Sequence, residues 1–258
     1  MIAISLASGC TRSRLDADLC PIDPKPKYTT VLLIDTSDPL APKHREKLRT
    51  LIKELQEPSD ANGTYASHNI EPGEELIVYE LAADLADLEP AIRVCNPGGN
   101  PDTRTIVDDL TTGRTIELRR WNDFRARLER LFDQQGQHTL PRSLILETIG
   151  VVAARHASSL RALNENTDRM HLILYSDLLQ HSESGGLSHY GPYPQPEALL
   201  TQPGLRHLKS DLSTVDVSIY RLERHGIDVA RWQTTEHYYW WKDLVHAFGG
   251  RVIWLESI

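Results

Sequence analysis

The strongest constraint on the fold of this chain is an alternation between short apolar runs and longer amphipathic stretches. Residues 31–34 are apolar at every position, and comparable runs occupy residues 76–79, 170–175 and 252–255. A run without regular polar alternation is typical of a parallel strand that is covered on both faces. We therefore expect an α/β fold with a single, mostly parallel central sheet and helices on both faces.

The stretches between these runs have helical spacing. The first begins near Pro42, a residue suited to a first helical turn, and its apolar stripe is Leu48, Leu51, Ile52 and Leu55. Further helices are predicted from about Trp121, over residues 143–163 and over residues 240–248. Residues 215–222 are predicted to form a strand nearer the sheet edge. The stretch between residues 80 and 113 reads as irregular, with a small hairpin at Thr112-Gly113.

Composition excludes several classes of protein. The chain has 258 residues, 40% of them hydrophobic, and 28 Lys plus Arg against 36 Asp plus Glu, a formal net charge of -8. This apolar fraction can fill a core, so the chain is not wholly disordered. The acidic balance and the lack of long basic runs argue against a nucleic-acid partner. No segment has the roughly 18 consecutive apolar residues of a membrane-spanning helix.

The first ten residues are apolar, then small, and end in Cys10 after the sequence Leu-Ala-Ser-Gly. This start resembles the lipobox of bacterial lipoproteins, which implies lipidation of Cys10 and a lipid-anchored protein in the cell envelope, facing the periplasm. It departs from a usual signal because it is short and has no Lys or Arg before the cysteine. The alternative is an ordinary N-terminus on a cytoplasmic protein. We divide the chain into this start with a Pro-rich tether, residues 1–27, and one α/β domain, residues 28–258.

The three cysteines give a second argument about compartment. If Cys10 carries a lipid, Cys20 and Cys95 remain as a pair. One hypothesis is that they form a disulfide in an oxidising periplasm, which would tie the N-terminal segment to the loop after the second strand. The other is that they are two buried free thiols, because connectivity does not follow from sequence.

Polar residues follow two of the predicted strands directly. Asp35, Ser37 and Asp38 come after the first strand, and Ser176 and Asp177 come after the run at 170–175. Ligands of open α/β sheets bind beyond the carboxyl ends of the strands. Carboxylate and hydroxyl oxygens suit a hard divalent cation such as Mg2+ or Mn2+. The alternative is that these side chains only cap loops and helix N-termini.

The order of these elements resembles a von Willebrand factor A domain with a metal-ion-dependent adhesion site. The resemblance implies a domain over residues 28–258 that binds another protein through a bridging cation. Asp35 and Ser37 match two of the expected ligands, Asp177 matches the last, and Ser143 fits the second loop best, with Thr139 as second choice. Pro39 stands where a further serine ligand belongs. The metal ion would then bind more weakly, or Asp38 would replace the missing serine ligand. In the third case no metal binds, and the domain is a metal-free subunit of an envelope or conjugation-type assembly.

A different class of function begins with a similar strand. Phosphohydrolases of the haloacid dehalogenase type have a strand that ends in Asp-x-Asp, with an Asp nucleophile and an Asp acid/base. Here Asp35 would be the nucleophile and Ser176 a phosphate contact, but Ser37 replaces the second Asp. No Gly-rich phosphate loop, Gly-x-Ser-x-Gly or His-Glu-x-x-His motif occurs. We therefore expect a non-enzymatic interaction module, with the phosphohydrolase as the minor alternative.

The stretch after Asp177 is rich in Gly, Pro and aromatic residues. It is interpreted as a partner-binding loop beside Asp177, with these candidate contacts: His181, His189, Tyr190 and Tyr193. A solvated loop without a binding role is the alternative. The aromatic run at residues 238–241 is expected to lie mainly in the core.

Overall fold

The computed structural model describes residues 14–26, 28–57, 69–100, 114–134, 139–161, 170–182, 187–224, 226 and 231–258. Its strands are β1 (Thr29–Ile34), β2 (Glu75–Glu80), β3 (Ile92–Cys95), β4 (Met170–Ser176), β5 (Val215–Arg221) and β6 (Arg251–Ser257). Its helices are α1 (Pro42–Glu54), α2 (Arg114–Gln134), α3 (Ile145–Arg161), α4 (Pro196–Thr201) and α5 (Thr235–Ala247). Short 3-10 turns cover Leu85–Asp87 and Pro203–Leu208.

The six strands form one sheet in the order β3-β2-β1-β4-β5-β6. All neighbours pair in parallel except β2 and β3, which are antiparallel. Every residue of β1 and β4 is buried, as expected of central strands covered on both faces. The expected α/β class with a mostly parallel sheet is confirmed.

Two apolar cores lie on opposite faces of this sheet because side chains alternate along each strand. Leu32 and Ile34 of β1 pack in the core that contains apolar residues of α1 and α2. Val31 and Leu33 pack in the other core, with α3, α4 and α5. Trp241 of α5 is fully buried there, whereas Tyr239 is half exposed, so the aromatic run at 238–241, expected to lie mainly in the core, lies there only in part.

Several elements differ from the sequence-based expectations. β3 lies within the stretch expected to be irregular, and its four residues carry too little pattern to identify a strand from sequence alone. β5 is second from the edge, which agrees with the predicted strand nearer the edge, although it is almost wholly buried. α4 and the 3-10 turn after it were not predicted. The predicted hairpin at Thr112-Gly113 lies outside the described residues.

The N-terminal segment is docked on the domain from residue 14 onward. Leu15 forms a β-bridge with Pro21, and Leu19 is buried in the core on the α1 side. A disulfide joins Cys20 to Cys95 at the end of β3. Within the segment expected to form a tether, residues 14–22 are held to the sheet by buried apolar contacts and a covalent bond. Cys10 lies outside the described residues.

No helix in the described ranges combines the length and apolarity that a membrane crossing requires.

Candidate functional site

The strand order creates a crevice between β1 and β4. The chain leaves β1 toward β2 on one side, and it leaves β4 toward β5 on the other. The loops at the carboxyl ends of these two neighbouring strands therefore diverge, which is where open α/β sheets bind ligands. Asp35 directly follows β1, and Asp177 directly follows β4.

Asp35 is fully buried and accepts hydrogen bonds on both carboxylate oxygens. Its Oδ1 accepts from the backbone N–H of Ser37 at 3.0 Å and from the Ser37 hydroxyl at 2.6 Å. Its Oδ2 accepts from the Ser176 hydroxyl at 2.6 Å. The first pair of bonds is the local turn that Asp commonly makes with the residue two positions on. The Ser176 bond ties the ends of β1 and β4 together.

Asp177 is also buried, and its charge partner is Arg224. Asp177 Oδ1 accepts from the backbone N–H of Leu179 at 2.9 Å, and Oδ2 accepts from Arg224 Nε at 2.9 Å. Arg224 Nη1 donates to the carbonyl of Pro39 at 3.1 Å. This arginine, which follows β5, therefore connects the loops after β1 and β4.

Gln233 completes the connection on the β5 side. Its side-chain amide donates to the carbonyls of Asp177 at 3.0 Å and Leu222 at 2.9 Å, and its side-chain oxygen accepts from the backbone N–H of Arg224. Leu178 adopts a left-handed conformation with φ of 64°, which is unusual for a leucine. Such backbone strain clusters at functional sites, where surrounding contacts maintain it.

The electrostatics of the crevice are dominated by two buried carboxylates, of which Asp177 pairs with the Arg224 guanidinium. Burial raises the pKa of Asp177 to about 7, the negative charge of Asp35 adds to the rise, and Arg224 opposes it. Asp177 therefore ionises near neutral pH, where an ordinary aspartate is already fully charged. The crevice has an excess of negative charge that a proton or a cation can neutralise.

The predicted metal ligands are only partly brought together. Asp35 and Ser37 bond to each other, and the carboxylates of Asp35 and Asp177 influence each other electrostatically. Ser143 pairs through its backbone with His181, and its buried hydroxyl has no hydrogen-bond partner among the described residues. The side chains of Asp38 and Thr139 are exposed.

The fit to a divalent cation is therefore mixed. The oxygen donors are of the type that Mg2+ prefers, and the unpartnered Ser143 hydroxyl leaves a further oxygen free. Against this, Arg224 already pairs with Asp177, and serine hydroxyls already donate to both oxygens of Asp35. A cation and Arg224 would compete for the same carboxylate.

A partly exposed aromatic cluster lies beside the crevice, and Tyr190 is its most exposed member. We call His181, His189, Tyr190 and Trp232 the aromatic patch. The Tyr190 ring contacts His189 at 4.0 Å and Trp232 at 6.0 Å between centroids, and 64% of Tyr190 is exposed. The guanidinium of Arg231 lies 4.8 Å from the centroid of Trp232.

Tyr193 does not belong to the aromatic patch. Its ring packs on His237 and Trp240, and burial raises its pKa well above the ordinary value. Three of the four predicted loop residues thus belong to the aromatic patch, and the fourth, Tyr193, packs against the core.

Sequence reasoning missed Arg224, Gln233 and Trp232. Arg224 lies three residues beyond β5, so the strand-end argument that selected Asp35 and Asp177 would also have selected it. Trp232 and Gln233 carry no comparable signal, because their contacts depend on the fold of the segment before α5.

Comparison with protein-family models and with curated proteins finds no match for this chain. The interpretation of the site therefore depends on the chemistry of its residues.

Proposed function

We propose that this chain is a non-enzymatic protein-interaction domain, similar to a von Willebrand factor A domain, that binds a partner protein at the carboxyl edge over β1 and β4. The observation that carries the proposal is the aromatic patch, in which the exposed Tyr190 packs on partly buried rings beside a buried pair of carboxylates. Tyr, Trp and Arg are the residues that most often dominate binding energy at protein interfaces. Tyr190, Trp232 and Arg231 supply all three types on one surface.

Arg224 supports a metal-free form of this domain. The guanidinium bonds to Asp177 and to the Pro39 carbonyl, so a built-in cation holds together the loops that would otherwise need an external one. Removing such a partner from a buried carboxylate is costly, so Asp177 depends on Arg224 whenever it is ionised. In this form the crevice supports the binding loops, and the aromatic patch contacts the partner.

A metal-dependent form is the second candidate. The excess of carboxylate over guanidinium and the unpartnered Ser143 hydroxyl favour it. Asp35, Ser37, Ser143 and Asp177 would hold Mg2+ or Mn2+, and the cation would supply a positive charge for a carboxylate of the partner.

A phosphohydrolase is less well supported. The nucleophile of such an enzyme must contact the substrate, yet Asp35 is fully buried and both of its oxygens are engaged by serine hydroxyls. The residue two positions on is Ser37, which has no carboxyl group for proton transfer.

An anchored location in the bacterial envelope is part of the proposal. The Cys20–Cys95 disulfide supports it, since such bonds persist in oxidising compartments. The pairing leaves Cys10 as the unpaired cysteine of the three in the chain, available for a lipid. The partner would then be another envelope protein or a larger envelope assembly.

Site-specific photo-crosslinking tests partner binding. A benzophenone amino acid replaces Tyr190 in the natural host, and a matched variant carries it at Trp254, which is 42% exposed on the edge strand β6. We expect a discrete crosslinked product from position 190 that is absent from position 254. No product at position 190, or equal products at both positions, would contradict the proposed surface.

A metal titration separates the two forms of the domain. In the metal-dependent form, millimolar Mg2+ or Mn2+ raises the thermal midpoint, and Asp177→Ala abolishes the rise. In the metal-free form, the midpoint of the wild-type protein does not respond to either ion.

A further inference from the structure

A pocket with three arginines lies at the β3 edge of the sheet, two strands away from β1 and its crevice. Its volume is about 270 Å3, and its lining comes from β3 and the residue before it, from α2 and from the N-terminal segment: Asp18, Ala91, Ile92, Arg93, Arg127 and Arg130. The chain as a whole has a formal net charge of -8, so three guanidinium groups at one pocket are a local feature. Guanidinium groups in such numbers point to an anionic ligand.

The fold holds two of these arginines in place without a ligand. Arg93 Nε donates to Glu75 Oε1 at 2.6 Å. Arg127 Nη2 donates to the carbonyl of Ala17 at 2.7 Å and to Asp123 Oδ2 at 3.1 Å. These bonds orient the two guanidinium groups and supply the counter-charge that keeps them close together in the free protein.

Much of the donor capacity of the three guanidinium groups is unused within the part of the chain that the structure describes. Arg93 makes its hydrogen bond through Nε alone, and its Nη1 only approaches Asp18, at 3.9 Å. The buried Nε of Arg127 has no acceptor there. Arg130 is exposed and has no hydrogen bond or ion pair in the same ranges. A guanidinium presents its N–H groups as a planar fork that matches the oxygens of a phosphate group.

Asp18 already acts as an acceptor in the pocket, but it binds weakly. Its Oδ1 accepts from Arg127 Nη1 at 3.3 Å, and its Oδ2 lies 3.9 Å from Arg93 Nη1. Strong charge-assisted hydrogen bonds measure about 2.7–2.9 Å. The Asp18 side chain is also 38% exposed, so solvent screens both contacts. The arginines therefore remain available to an anion with more charge and more acceptor oxygens than one carboxylate.

We propose that this pocket binds a phosphate monoester group through Arg93, Arg127 and Arg130, in competition with the carboxylate of Asp18. Such a group carries about 1.5 to 2 negative charges and three acceptor oxygens at neutral pH. The pocket is slightly smaller than the range of about 300–1,000 Å3 that is usual for small-molecule sites, which suits a phosphate group with a small attached moiety. A free phosphate compound and a lipid headgroup both offer this chemistry. The inference is independent of partner binding at the carboxyl edge, so either proposal can fail without the other.

Titration with inorganic phosphate tests the site on the intact chain in its disulfide form. Phosphate is added at constant ionic strength with chloride as the balancing anion, and the arginine Nε–H signals are followed by 15N NMR. We expect saturable, one-site shifts of the Arg127 and Arg130 signals that chloride does not produce.

Vesicles distinguish the two sources of the phosphate group. Phosphatidic acid, which presents a phosphate monoester, is mixed into phosphatidylcholine vesicles, and the protein is sedimented with them or with pure phosphatidylcholine vesicles. Sedimentation with the phosphatidic acid vesicles alone, reversed by inorganic phosphate, would identify a headgroup site. Saturable binding of inorganic phosphate without sedimentation would identify a site for a free phosphate compound. The proposal is overturned if neither probe binds.

Three variants test the assignment with whichever probe binds, and circular dichroism confirms that each is folded. Arg130→Gln should weaken binding about fivefold, as expected for one partly exposed charge contact. Arg119→Gln, an exposed arginine of the same helix that lies outside the lining, is the matched control and should bind like the wild type. Asp18→Asn should strengthen binding severalfold, because it removes the competing carboxylate. Unchanged binding by Arg130→Gln, an equal loss in Arg119→Gln, or no gain in Asp18→Asn would each overturn the proposal.

Discussion

The ionisation of Asp177 should make the stability of this protein depend on pH in a way that one substitution removes. The pKa of Asp177 is raised to about 7 in the folded state, from an ordinary value of 3.8. The folded protein therefore retains a proton that the unfolded chain releases. The contribution of this retained proton to the free energy of unfolding is fully present below about pH 4 and is lost progressively as the pH rises to about 7.

The size of the effect follows from the two pKa values. Each pKa unit corresponds to about 1.4 kcal/mol, so the full cost of ionising Asp177 in the folded state is about 4 kcal/mol. Between about pH 5 and pH 8, one group with these pKa values removes about 3 kcal/mol from the free energy of unfolding. Asp177→Asn, which cannot ionise, should flatten the pH dependence by that amount.

Urea denaturation of the disulfide form across this pH range measures the slope of the free energy of unfolding against pH. The slope is the relevant quantity, because Asp177→Asn also leaves Arg224 without its charge partner and so changes the absolute stability at every pH. Asp38→Asn is the matched control: it removes an exposed carboxylate from the same loop region and should retain the wild-type slope. Equal slopes for Asp177→Asn and the wild type would contradict a raised pKa, since they would mean that Asp177 is ionised well below neutral pH. A divalent cation bound at the crevice would flatten the wild-type slope as well, because it favours the ionised carboxylate.

Two further predictions concern the framework that holds the site. Cys95→Ser should lower the free energy of unfolding by about 4 kcal/mol in urea denaturation, because the disulfide closes a loop with a sequence separation of 75 residues. Reduction of the wild type without added metal should give a similar loss. A change in the free energy of unfolding below about 1 kcal/mol would contradict this account. Gly250→Ala should cost about 1–3 kcal/mol in the same assay, since its new Cβ would lie 2.9 Å from Val245 Cγ1 and 3.0 Å from Leu212 Cβ. Gly204→Ala, whose Cβ would meet nothing within 4 Å, is the control and should change little.

The central strands and the amphipathic helices were predictable from the sequence because their signals are local. The run at residues 31–34 has no polar position, and α1 repeats its apolar residues at helical spacing. β3 could not be found in this way. It has four residues, and it becomes a strand because β2 offers it an antiparallel partner.

Local sequence patterns were enough to predict the layered α/β fold and the positions of Asp35 and Asp177 at strand ends, because apolar periodicity and strand boundaries are properties of short segments. Which charges meet depends on the tertiary fold. Arg224 pairs with Asp177 across 47 residues of sequence, and it does so because β5 lies next to β4 in the sheet. Trp232 joins the aromatic patch, and residues 14–22 dock on β3, through contacts of the same long-range kind. Strand order, which no local pattern encodes, thus converted a predicted cluster of oxygen ligands into a crevice with a built-in cation.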